Sequence, residues 1–466
     1  MNLKALDHSV GFIKSWLEFR YEHEEVPGFV VAISYKGKLL LNEAYGFADL
    51  EKKTKLTNNN IFRIASHSKT FTATALMQLQ EQGKLRLDDY VVDHLSWLKQ
   101  HKDKRWFKVT LRQLMSHGAG VIRDGVNSDY WQLDRPFPDE DELKEELLSS
   151  ELVIVSNTKL KYSNYGYSLL GMVIKKVSGT DYNEYVTKNI VAPLGLVSTG
   201  PEYTDSIKNK LVTGYTRRDV DKTRLPIANV NTRAMASATG FYSTAQEMCI
   251  YFAAHAVGTN KLLDDESKKE MQRVHYRAKV PSQDNAEDYG LGLEIEYLNK
   301  RKTIGHGGGF PGHITKSLAD SKDELVVVAL TNCIDGPASA IVKGIYGIVD
   351  YFQVNTTDTK PKHDMSKLEG RYMNLWGTTD IIVIGDKVIA TYVNTWQPLS
   401  FPVELEYVNG TTLKVTDADS FSSEEELVRF TLKDGKVEII NYNGATMWPE
   451  KVWLNKQKNR KAVTLD

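Results

Sequence analysis

The chain has 466 residues, with 59 Lys and Arg against 60 Asp and Glu and a formal charge of −1. At about 150 residues per domain that length excludes a single small module and fits two to four domains. So even a charge balance supplies no long-range field toward nucleic acid or an anionic membrane, and neither is expected as a partner.

Residues 3 to 22 carry Leu3, Leu6, Val10, Ile13, Trp16, Leu17 and Tyr21 at three- and four-residue steps, the period of an amphipathic helix. Gly28 to Tyr35 and Lys38 to Tyr45 alternate like strands across Lys36-Gly37, the spacing of a tight hairpin. Residues 66 to 255 are mainly helical in pattern, with runs at Phe71 to Leu79, Leu111 to Met115, Glu140 to Leu148, Tyr167 to Val177, Tyr182 to Ile190 and Glu247 to Ala256. Strand signals return at Glu294 to Tyr297, Lys302 to His306, His313 to Leu318 and Glu324 to Asn332, before a helix over Pro337 to Phe352. This order predicts an α/β (α+β) fold: one antiparallel sheet built from both ends of the segment, with flanking helices and an inserted helical region.

Residues 356–366 are polar, contain Pro361 and lack apolar periodicity, so they read as a linker. Beyond it, short alternating runs separated by Gly385-Asp386, Asn409-Gly410 and Asp434-Gly435 predict a small antiparallel β-barrel or sandwich. The expected domains are therefore 1–355, carrying the chemistry, and 367–466, the barrel, with a structural, capping or homo-oligomerising role, or as the alternative a role in shaping the active-site cleft. Cys249 and Cys333 show no metal-ligand spacing and read as two buried thiols. The N-terminus lacks an apolar h-region and no stretch reaches the roughly 18 apolar residues of a membrane span, so the chain reads as cytoplasmic, or as periplasmic or secreted if a signal peptide has been removed.

Ser66-His67-Ser68-Lys69 fits S-x-x-K, in which a serine at a helix start meets a lysine one turn on. Ser96 to Lys99 and Ser156 to Lys159 fit it too, but only Ser66 follows an extended run, Ile61 to Ala65, and precedes a sustained apolar helix. Its hydroxyl is thereby expected at a helix N-terminus, where backbone N–H groups stabilise developing negative charge. Serine needs a neighbouring base, and a lysine can be that base only when desolvation or a nearby cation lowers its pKa. Tyr162-Ser163-Asn164 adds a proton relay and an amide able to donate and accept. Gly305-His306-Gly307-Gly308-Gly309 is an exposed glycine-rich backbone whose N–H groups suit half of an oxyanion hole. Histidines show no H-E-x-x-H pair, so no metal and no cofactor is expected, and His117 and His255 read as structural residues.

Ser66-x-x-Lys69, Tyr162-x-Asn164 and His306-x-Gly308, in that order, resemble the motifs of the penicillin-recognising serine hydrolase superfamily, nearest its class C β-lactamase-like branch of peptidases and esterases. Thr110 to Gly120, Ala236 to Ala245 and Tyr289 to Leu293 resemble further stretches of that branch. The resemblance implies a β-lactamase/transpeptidase-like fold with a lipocalin-like terminal barrel. It implies Ser66 as acylated nucleophile, Lys69 as its activator and Tyr162 as second acid/base group. Asn164, His306 and Gly308 would bind substrate, and the N–H groups of Ser66 and Gly309 would form the oxyanion hole. Histidine stands where β-lactamases place a fixed ammonium, as in D-aminopeptidases and some esterases. A hydrolase of small peptides is therefore expected, of either chirality and D-residue-containing ones among them, with a carboxylesterase, a weak β-lactamase or a non-catalytic binding homologue as alternatives.

Overall fold

The computed structural model describes residues 1–277, 288–357, 361–417 and 423–458. They divide into two compact units, Val26–Val342 and the pair of segments Met1–Glu25 with Lys343–Asp466.

A nine-stranded sheet organises the unit Val26–Val342. Its strands run Thr54–Lys55, Lys38–Asp49, Gly28–Tyr35, Leu325–Thr331, His313–Asp320, Arg301–Phe310, Glu294–Leu298, Asp288–Tyr289 and Tyr276–Arg277, each antiparallel to the next. The hairpin after Tyr35 closes through Lys36 and Gly37, both at positive φ as a two-residue turn requires. Phe29 faces Thr331 and Tyr35 faces Leu325, so strands from both ends of the unit lie side by side, as the element order predicts. Strand Leu325–Thr331 is buried throughout, which explains its unbroken apolar run.

Between these ends lie the helices Ser68–Glu81, Glu140–Ser149, Asn164–Ser178 and Ala245–Ala253, with shorter helices, 3-10 turns and two-residue strands in the segments that connect them. Phe71, Leu76, Leu79, Leu114, Leu169, Val173 and Met248 from this block join Val30, Val328 and Leu330 of the sheet in one core. The helix expected over Tyr182 to Ile190 ends at Val186 and widens into a π-turn over Thr187–Val191. Cys249 and Cys333 are buried and free.

In the other unit eight antiparallel strands close into a barrel, from Gly370–Met373 to Ala445–Pro449, filled by Leu368, Val388, Leu405, Leu413, Val415, Val428 and Ile440. Two of these strands were absent from the periodicity: Gly370–Met373 and Ala445–Pro449, which pair with each other to shut the ring. The helix Leu3–His23 belongs to this unit. Its Trp16 Nε1 donates to the Thr395 carbonyl at 3.1 Å and Arg20 donates to Asn394 at 2.7 Å. Residues 358–360 of the expected linker lie outside the described residues. Among the described residues no helix is long and apolar enough to cross a membrane.

Candidate active site

Ser66 lies in the 3-10 turn Ala65–His67, which runs directly into the helix Ser68–Glu81. Two short pairings fix the turn from below: Phe62–Arg63 bonds to Tyr242–Ser243, and the Ile64 amide donates to Phe241 O at 2.9 Å. The Ser68 hydroxyl donates to Ala65 O at 2.6 Å and accepts from the Phe241 amide at 3.0 Å. Ala65 is held at φ 49°, a left-handed conformation that costs an alanine free energy and persists only because the surroundings impose it. Every residue from Ile61 to Thr70 except Ser66 is buried, so the turn offers the cleft one hydroxyl. The other two S-x-x-K matches differ: Ser96 opens a five-residue 3-10 turn and Ser156 sits in a loop.

Two of the sequence-predicted residues meet at this hydroxyl, and a third, Asn164, holds one of them. Lys69 Nζ lies 3.1 Å from Ser66 Oγ, and the Tyr162 hydroxyl donates to the same oxygen at 2.8 Å. Lys69 also donates to Asn164 Oδ1 at 2.7 Å and to the Ala238 carbonyl at 2.8 Å. Burial pulls the Lys69 amine down to about 7; attraction from Asp124 opposes this and repulsion from Arg123 adds to it. A neutral amine keeps two N–H donors and one lone pair. With the donors committed to Asn164 and Ala238, the lone pair faces the Ser66 O–H. Burial likewise raises the Tyr162 hydroxyl well above its ordinary value, so it stays protonated and serves as a donor.

The glycine-rich segment is a strand and not a turn: Gly305 to Phe310 pair in register with Leu318 to His313, and the reversal falls at Pro311-Gly312. Pairing to the neighbouring strand Glu294–Leu298 stops at Gly305, so among the described residues Gly307 to Gly309 have no strand partner on that side. A Cβ on Gly308 would collide with the carbonyl oxygen of Ile64 and with Thr315 Oγ1. Only glycine lets this strand come up against the Ser66 turn. The Gly309 backbone is exposed there.

His306 is buried, and both of its nitrogens are engaged within the protein. Nδ1 donates to the Gly307 carbonyl at 2.6 Å with Glu294 at 3.3 Å, and Nε2 accepts from the Tyr289 hydroxyl at 3.0 Å. Burial brings the imidazole down to about 4, with repulsion from Lys69 and Lys316 adding to the shift, so it is neutral at pH 7. Glu294 in turn accepts from Lys316 at 2.6 Å, and Glu296 pairs with the same ammonium.

Sequence reasoning missed the partners that tune these groups. Asp124 accepts from Asn164 Nδ2 at 2.6 Å and from Arg123 Nε at 3.0 Å, while the Arg123 guanidinium lies 5.4 Å from the centre of the Tyr162 ring. Glu294, Lys316 and the Ala238 carbonyl reach the site from distant segments, and no local pattern announces them. Among the described residues no cluster of His, Cys, Asp or Glu could hold a metal ion. A cavity of about 550 Å³ lined by Ser168, Gly171, Lys175, Tyr182 and Ser237 does not include Ser66, so volume alone does not mark the chemistry.

The chain is 28% identical over 199 residues to Protein flp of Staphylococcus aureus (strain N315), a match covering 43% of this chain and 40% of that protein. It thus spans less than half the length of the curated relatives it matches. The structure is similar to that of an octameric penicillin-binding protein homologue from Pyrococcus abyssi, at TM-score 0.64 and 23% identity, covering 94% of this chain and 99% of that one. It is also similar to a D-stereospecific amidohydrolase from Streptomyces sp., at TM-score 0.61 and 22% identity, covering 72% and 97%. Residues 14–346 match the family described as Beta-lactamase, and the chain belongs to that family of serine hydrolases.

Proposed function

We propose that the protein hydrolyses an amide or ester bond through an acyl-enzyme on Ser66, with small peptides, including those containing D-residues, as the preferred substrates. The observation that carries this is the convergence of a lysine lowered to about 7 and a protonated tyrosine on one half-buried hydroxyl. The Lys69 amine takes the Ser66 proton as Oγ bonds to the substrate carbonyl carbon. The resulting oxyanion rests against the N–H groups of Ser66 and Gly309. Tyr162 gives its proton to the leaving nitrogen or oxygen as that bond breaks, and the proton held by Lys69 replaces it. Water then attacks the ester with the roles reversed, restoring Ser66. Asn164 holds Lys69 and presents an amide to the substrate, while Gly308 and the buried, neutral His306 shape the opposite wall.

The test is intact mass after a fluorophosphonate, followed by turnover of D- and L-aminoacyl anilides. Wild type should gain one adduct and cleave anilides, and Ser66→Ala should gain none and lose at least about 10³-fold in turnover. An unlabelled wild type, under conditions where control hydrolases label, overturns the reading. Carboxylesterase activity is the second reading, favoured by the neutral imidazole where a fixed ammonium would draw in an anionic peptide end; p-nitrophenyl esters cleaved far faster than any anilide would select it. The octameric neighbour supports a homo-oligomer, and a monomer mass by light scattering would exclude one.

A further inference from the structure

The other basic groups near Ser66 are already neutralised or committed. The Lys316 ammonium is bridged by Glu294 and Glu296. His306 has both nitrogens engaged. Lys69 spends its donors on Asn164 and Ala238.

Arg123 differs from all three. Its side chain is 64% exposed, and only Nε is tied down, by Asp124 Oδ2 at 3.0 Å. Its terminal nitrogens have no partner among the described residues. Yet its position is fixed. The Arg123 carbonyl accepts from the amides of Asn164 at 2.9 Å and Tyr165 at 3.2 Å, at the start of the helix Asn164–Ser178, and Asp124 joins the Arg123 side chain to Asn164. The guanidinium therefore stands over the Tyr162 ring, one side chain away from Ser66 Oγ. A guanidinium held by one edge, with its terminal nitrogens open, is a preorganised fork for a carboxylate. Preorganisation lowers the ordering cost of binding.

We propose that Arg123 is a specificity-determining residue that binds a carboxylate carried by the substrate on the side of the scissile bond facing Tyr162. It rests on the Ser66 acyl-enzyme reading, in which Tyr162 protonates the leaving group, so the anion lies on the released portion. An anion at Arg123 also removes the positive charge that helps depress Lys69. Bound substrates with a carboxylate should accordingly show a kcat profile whose rising limb lies at higher pH than that of their neutral counterparts.

The experiment compares 4-acetoxybenzoate with its methyl ester, which share an acyl group and differ in the charge of the leaving group. In wild type kcat/KM should favour the carboxylate. Arg123→Gln should lower that preference at least tenfold, mainly through KM, and Arg123→Lys should restore part of it. A preference unchanged by Arg123→Gln overturns the proposal. Calorimetric titration of the cleavage product, 4-hydroxybenzoate, into Ser66→Ala with and without Arg123→Gln reads binding without turnover. At least fivefold weaker binding supports the proposal, and equal binding overturns it. Failure of the hydrolase reading is seen separately, as a wild type that takes no fluorophosphonate adduct.

Discussion

Lys69, in the first turn of the helix behind Ser66, and Lys316, in the strand paired with the glycines, are both buried lysines in opposite surroundings. Lys316 meets two carboxylates, and although burial alone would lower it, Glu294 and Glu296 hold it protonated well above the ordinary lysine range. Lys69 meets only neutral oxygens, those of Ser66, Asn164 and Ala238, and burial dominates. Its nearest carboxylate, Asp124, is one amide removed, because the Asn164 side chain accepts from Lys69 and donates to Asp124. Placing an amide instead of a carboxylate in contact with the amine separates a reactive lysine from a structural one.

Removing Lys69 is the harshest test of that contrast. Lys69→Met should lower kcat/KM by roughly 10⁴-fold, about 5.5 kcal/mol of transition-state stabilisation. The same change strips the buried Asn164 Oδ1 and the Ala238 carbonyl of their donor and should cost about 1–3 kcal/mol of stability, so turnover is compared on folded protein; a folded variant that keeps wild-type turnover would contradict the assignment. At the other lysine the expected loss is in folding. Glu294→Ala leaves the Lys316 ammonium with one partner and should cost about 3 kcal/mol in urea unfolding, whereas an unchanged midpoint would show that the ion cluster contributes nothing.

Converting one environment into the other has a smaller effect. Asn164→Asp in an Asp124→Asn background puts a carboxylate against Lys69 and should lift its pKa by about two units, moving the rising limb of kcat/KM upward and costing about 50-fold at pH 7. If the limb stays in place, the neutral contacts are not what set Lys69. In wild type, Lys69 protonates as pH falls through about 7 and its lone pair is lost. Activity should therefore drop tenfold per pH unit below that value and level off above it, which a simple pH–rate series reads.

The Ser66 turn was legible because a helix start, an apolar face and an S-x-x-K spacing are local features. So was the sheet, because the strands Gly28–Tyr35 and Leu325–Thr331 carry long apolar runs. The strand signal from Lys302 stops at His306, short of the observed end at Phe310, because glycine weakens any strand pattern. The glycines beyond it sit in a strand because the alternative, a Cβ at Gly308, would collide with Ile64. The closing barrel strands were missed for a similar reason, since Gly370–Met373 has four residues and Ala445–Pro449 ends in proline. Asp124, Glu294 and Lys316 carry no pattern at all; their meaning comes only from partners brought together by the fold.

The two cysteines acquire an analytical use from their burial. Cys249 and Cys333 are free and buried, and desolvation pushes each thiol up to about 12, so neither forms appreciable thiolate at neutral pH. Electrophiles applied to the native protein should bypass them, so a covalent adduct on the folded chain is not a thiol adduct. Both thiols become reactive when the chain opens, which gives the protein an intrinsic alkylation signal for unfolding that needs no engineered label.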